Sequence, residues 1–171
     1  MEKNLRELKA FLRHPLAIRS LIAGFLYLLM LTRVFGLLDI EPSFLLDVTL
    51  KINPDLFFDR IAKQVAYGRD NYLLFHLIDY LFIIFFYPLL RILASRLFSG
   101  KVWPIIAVVA GVADLLENLC IDISLLLYPQ QISGFALMVS WLIPLKFLSI
   151  SIVLVTAIIW LLLRKKPLGR S

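Results

Sequence analysis

The stretch VWPIIAVVAGVADLLENLCIDISLLLY, residues 102–128, decides the fold class. It is apolar at most positions, yet it carries Asp114, Glu117, Asn118 and Asp122. As a helix rising 1.5 Å per residue it would be about 40 Å long, more than the roughly 30 Å hydrocarbon core of a bilayer. A charged side chain at the centre of a spanning helix costs about 2.5–3.5 kcal/mol, and each Leu gains roughly 0.3–0.6 kcal/mol. The apolar majority therefore takes this helix into the membrane. The acids must then face the protein interior and find partners there.

Working outward, three further apolar runs have spanning length: 16–38, 71–98 and 133–163. The 171 residues are 61% apolar and 18% charged, with a mean hydropathy of +0.88. A soluble domain is roughly 45–50% apolar, and a globule of this size could not hide the excess. One Cys and seven Gly exclude a disulfide scaffold and a collagen-like fibre. The expected fold is all-α: an integral membrane four-helix bundle forming a single domain. Cys120 falls inside the third span, where a disulfide is not expected.

Charge sets the expected orientation. Lys3, Arg6, Lys9 and Arg13 lie in the 1–15 segment, and Arg19 opens the first span. Arg91, Arg96 and Lys101 cluster at the 99–101 turn, and Arg164, Lys165, Lys166 and Arg170 mark the 164–171 tail. Between the first two spans, segment 39–70 offsets Lys51, Arg60, Lys63 and Arg69 with Asp39, Glu41, Asp47, Asp55, Asp59 and Asp70. The positive-inside rule puts both termini in the cytoplasm and segments 39–70 and 129–132 outside, in a plasma (inner) membrane. The net charge of +6 is explained by this topology, so nucleic acid is not an expected partner. The first span is too long for a signal-peptide core and reads as an uncleaved anchor.

Two amphipathic segments flank the spans. Leu5, Leu8, Phe11 and Leu12 in residues 2–14 recur at helical spacing among basic residues, which suits an inner-surface helix or a basic flank. Outside, Asn53 and Pro54 form a helix start. Phe57, Phe58, Ile61, Ala62 and Val65 then make an apolar stripe, and Gly68 is a stop. This predicts a short interfacial helix over 54–67, either an anchor or a lid. Pro144 inside the long fourth span predicts a tilt or kink.

The polar residues inside the membrane define the candidate site. Tyr72, His76, Asp79, Ile83 and Tyr87 recur at three- or four-residue intervals on one face of the second span, with Tyr80 bordering it. Asp114, Glu117 and Asn118 share a face of the third span, and Asp122 lies at its edge. The fourth span adds Lys146. Counted from the span ends, these residues fall near the midplane or in the outer half. One cluster between the second, third and fourth spans follows: Tyr72, His76, Asp79, Asp114, Glu117, Asn118 and Lys146, with Arg33 near the outer end of the first span. Three acids against one lysine leave excess negative charge, which calls for a proton, a bound cation or a cationic ligand.

The string Asp114-x-x-Glu117-Asn118 resembles the D-x-x-E-N signature of a group of uncharacterised bacterial four-span membrane proteins. That group also shows a pattern like Gly68-Arg69-x-x-Tyr72, an acid such as Asp79 in the second span and a lysine such as Lys146 in the fourth. The resemblance implies a four-helix membrane fold and supports the site, but it implies no reaction.

Four readings of the cluster follow. It could bind or transport a small amphiphile, lipid or cation, with membrane lipids as partners and a homo-oligomer as the transporting unit. It could be an intramembrane enzyme with Asp114 and Glu117 as the catalytic acid/base pair and Lys146 as an electrostatic stabiliser. It could be glue between helices, with Lys146 paired to Asp79 or Glu117. His76, Asp79, Asp114 and Glu117 have i, i+3 spacings that suit a metal, but one histidine beside a lysine argues against it. No phosphate loop, HExxH, CxxC or nucleophile-elbow motif is present, and no cofactor is expected.

Overall fold

In a computed structural model the described residues are 15–32, 46 and 53–164. The N-terminal amphipathic segment, Arg33 and the basic tail beyond Arg164 lie outside them, as does the 39–52 loop apart from Leu46. Among the described residues four helices account for the regular structure: α1 (Pro15–Thr32), α2 (Pro54–Leu97), α3 (Val102–Leu127) and α4 (Ser133–Arg164). Among the described residues every regular element is helical, so the chain is an all-α bundle. Gly68–Leu97, Val102–Leu127 and Ser133–Trp160 are each long and apolar enough to cross a membrane. The described apolar part of α1 is Ile18–Met30, and residues 33–38 of the expected first span lie outside the described residues.

The expected break between an outer helix and the second span is present, but without a loop. α2 starts at Asn53, whose Oδ1 accepts from the Leu56 N–H at 2.7 Å. Pro54 follows as the first helical residue, and Asp55 sits favourably in the positive first turn. The helix is interrupted at Gly68 (φ 155°, ψ 68°) and then resumes. Only glycine takes that conformation without strain. A Cβ there would also crowd Asn71 Nδ2 at 3.3 Å.

The segment before Gly68 does more than rest on an interface. Phe57, Ile61 and Gln64 are buried. Phe57 and Ile61 belong to an outer apolar cluster with Leu46, Tyr72, Phe75, Ile121, Leu125, Val139 and Ile143. The outer helix therefore closes one end of the bundle. Burying each such side chain stabilises by about 1.5–3 kcal/mol relative to exposure.

Short connections make α2, α3 and α4 antiparallel neighbours. α3 packs on both α2 and α4, α2 also touches α4, and α1 packs on α2. Small residues let α3 approach closely: Ala107, Ala110 and Ala94 are fully buried. They join Tyr87, Leu90 and Val153 in a second, inner apolar cluster, and Trp103 packs against it. α4 is continuous across Pro144.

The surface reverses the soluble pattern. Leu77, Ile84, Val112, Leu119, Trp141, Leu148 and Val155 are exposed, while His76, Asp79, Asp114, Glu117, Asn118 and Lys146 are buried. An apolar exterior around an ionisable interior fits a protein dissolved in lipid.

Candidate functional site

The buried polar groups form a ladder along the antiparallel contact of α2 and α3. At the outer rung, His76 Nδ1 lies 2.5 Å from Asp122 Oδ1, and the Tyr80 hydroxyl donates to Asp122 Oδ2 at 2.6 Å. One turn inward, Asn118 Nδ2 donates to Asp79 Oδ2 at 2.5 Å. Further inward, past Ile83, the Tyr87 hydroxyl donates to Asp114 Oδ2 at 2.7 Å. The rungs keep one register because 76, 79–80, 83 and 87 recur every three or four residues on α2. Residues 122, 118 and 114 step back by four on α3.

α4 supplies the cation. Lys146 Nζ donates to Asp114 Oδ1 at 2.9 Å and lies 2.8 Å from Glu117 Oε2. One ammonium thus serves two carboxyl groups, with side-chain exposures of 7% for Lys146, 6% for Asp114 and 0% for Glu117. A buried pair of this kind holds because the attraction between its charges in a low-dielectric interior offsets the cost of desolvating them. Its candidate catalytic acids, Asp114 and Glu117, are therefore both engaged by the same lysine.

The structure brings together His76, Asp79, Asp114, Glu117, Asn118 and Lys146. Tyr72 stands apart from the ladder. It is fully buried in the outer apolar cluster, and its hydroxyl accepts from the Leu46 N–H at 3.2 Å. Its ring still covers His76, with centroids 4.7 Å apart. Lys146 takes Asp114 and Glu117, where the sequence pointed to Asp79 or Glu117. His76 bonds across the helix contact to Asp122.

Three members were not assigned to the site from sequence: Asp122 and Tyr80, placed at the edges of their faces, and Tyr87, placed on the site's face of the second span but left out of the cluster. Their signal was the i+4 spacing from Asn118 and His76, and from Ile83 for Tyr87. Edge positions join a site only when the neighbouring helix lies on that side, which the spacing within one helix does not state.

Among the described residues, four carboxyl groups (Asp79, Asp114, Glu117, Asp122) meet Lys146 and His76 in this interior. Even a protonated His76 leaves two more acids than bases. Apolar clusters flank the ladder at both ends: Phe57, Ile61, Ile121 and Leu125 at one, and Leu90, Ala94, Ala107 and Val153 at the other. No three His, Cys, Asp or Glu side chains among the described residues converge as metal ligands. A separate open cleft of about 460 Å³ lies at the helix break, lined by Val65, Gly68, Arg69, Asp70 and Asn71. No protein-family model matches the chain, and comparison with curated proteins and with solved structures gave no match.

Proposed function

We propose that the chain is a membrane protein that binds a cation inside its bundle and carries it across the bilayer, with the proton as the smallest occupant. The observation behind this reading is the gathering, among the described residues, of Asp79, Asp114, Glu117 and the partly exposed Asp122 around Lys146 and His76, between two apolar clusters. Carboxylates in a low-dielectric interior are costly unless paired or protonated, so a site this rich in acids favours the uptake of positive charge. Intramembrane acids in such positions generally mark ion pathways or proton relays. A site closed at both ends is what a carrier, rather than an open pore, requires. A cationic amphiphile entering from the lipid would meet the same chemistry, with Tyr80 and Tyr87 offering aromatic faces.

The basic flanks support an orientation with cytoplasmic termini in a plasma (inner) membrane. Membrane lipids are the surrounding partners, and a homo-oligomer would supply the remaining walls that four helices lack.

The test is flux into proteoliposomes containing the full chain and an internal pH dye, driven by an imposed membrane potential. Proton entry above that of protein-free vesicles, lost in Asp79→Asn and Glu117→Gln, supports the reading. Parallel assays with sodium and a lipophilic amine distinguish the cation. Fluxes equal to those of empty vesicles for all three would overturn it.

A further inference from the structure

One rung of the ladder is open to the surroundings. The Asp122 side chain is 16% exposed, whereas that of its partner His76 is 0% exposed. Tyr80, bonded to the same carboxylate, is half-buried. At 100° per residue, Asp122 and Glu117 point about 140° apart on α3. Asp122 thus sits at the flank away from the group that meets Lys146. A bond serving only to join two helices in lipid would be covered on all sides, because an ionisable edge facing hydrocarbon is costly.

The next rung is built to receive a proton. Asn118 is fully buried, and its Nδ2 donates to Asp79 Oδ2. Its Oδ1 has no hydrogen-bond partner among the described residues. A buried amide oxygen left in that condition costs about 1–3 kcal/mol. Protonation of Asp79 would remove the cost. The amide turns over, and its oxygen accepts from the new carboxylic O–H. Asn118 can therefore satisfy Asp79 in both protonation states, which suits a rung that changes state.

We propose that His76, Asp122 and Tyr80 form a second proton-binding site, the port through which the interior carboxyl groups exchange protons with the outside. The inference rests on the cation-binding reading above and names its entry. A proton binds Asp122 at its exposed edge. The Asp122 O–H bond then breaks as an N–H bond forms at His76 Nδ1, giving an imidazolium beside a carboxylate. No hydrogen bond joins Nε2 to Asp79 at rest, so the imidazole turns, and the N–H bond at Nε2 then breaks as an O–H bond forms on Asp79, one helical turn away. His76 ends neutral, Asp79 ends neutral, and one proton has moved inward. Release outward runs the same bonds in reverse. Tyr80 holds the Asp122 carboxylate in place through its hydroxyl.

The titratable groups on the elements packed around His76 are Tyr72, Asp79 and Tyr80 on α2, Glu117, Cys120 and Asp122 on α3, and Lys146 on α4. Gln64, from the outer segment, carries no charge. Of the acids, Glu117 meets Lys146, and Asp79 and Asp122 belong to the two rungs that follow one another at the ring.

Time-resolved infrared spectroscopy of the full chain in nanodiscs, after a rapid drop in pH, tests this through the protonated-carboxyl band. The wild type should show a component that Asp79→Asn abolishes. His76→Gln and Asp122→Asn should leave that component's final amplitude intact and slow its rise by about a hundredfold, the scale of a lost proton-transfer group. Asp122→Glu, which keeps a carboxyl group at the port, should restore most of the rate. If His76→Gln does not yield a monodisperse protein, the Asp122 pair carries the test alone. An unchanged rate in Asp122→Asn, with the Asp79 component present, overturns the port and leaves the cation-binding reading standing. No Asp79-dependent component in the wild type overturns both.

Discussion

The ring of Tyr87 lies directly on Gly111: a Cβ at position 111 would stand 2.9 Å from Tyr87 Cγ. The same ring delivers its hydroxyl to Asp114 at 2.7 Å. A missing side chain on α3 therefore sets the position of a hydrogen bond from α2, one turn away from it. Gly111→Ala should push the ring off Asp114 and cost about 1–3 kcal/mol through overpacking. Gly24, on α1, has nothing within 4 Å of its Cβ position, so Gly24→Ala should be neutral or slightly stabilising. Unfolding of the two variants in mixed detergent micelles checks this. Equal behaviour would show that the Tyr87–Gly111 approach is not tight.

Lys146 neutralises two acids, so its loss should be felt by both. Lys146→Met leaves Asp114 and Glu117 buried without their shared cation and should destabilise by about 3–5 kcal/mol. Adding Asp114→Asn and Glu117→Gln to that variant should recover much of the loss, since the uncompensated charge is gone. Detergent unfolding of the wild type, Lys146→Met and the triple variant measures it. A triple variant no more stable than Lys146→Met would mean that the lysine acts by packing alone.

The outer helix closes the bundle through Phe57 and Ile61. Phe57→Ala should cost about 3–5 kcal/mol, the range for truncating a buried aromatic. It should also admit solvent to the outer end. Cysteine labelling reports this directly. Ile61→Cys should label slowly and Ala66→Cys quickly, with Phe57→Ala raising only the former rate.

Gly68 joins that closure to the long apolar part of α2 at φ 155°. Gly68→Val should cost about 1–3 kcal/mol in backbone strain. Because the strain lies at the joint, labelling at Ile61→Cys should speed up in this variant while the spanning helices keep their far-ultraviolet circular dichroism. Unchanged labelling would mean that the outer helix stays seated without the glycine conformation.

Helix identity and burial direction were legible from the sequence because both are local. The apolar run 102–128 is helical in Val102–Leu127, and Asn53, Pro54 and Gly68 mark the outer helix where expected. The three- and four-residue spacing of His76, Asp79, Asn118 and Glu117 turns them inward, since hydrocarbon tolerates no other direction for ionisable groups. Pairing was not legible, because it is a property of two helices in register. Only the antiparallel offset of α2 and α3 matches His76 to Asp122 and Asp79 to Asn118. Only the approach of α4 gives Lys146 to Asp114 and Glu117. The outer segment shows the same division. Its amphipathic stripe was plain, but whether that stripe met lipid or protein depended on the chain folding back at Gly68 onto a surface made by three other segments.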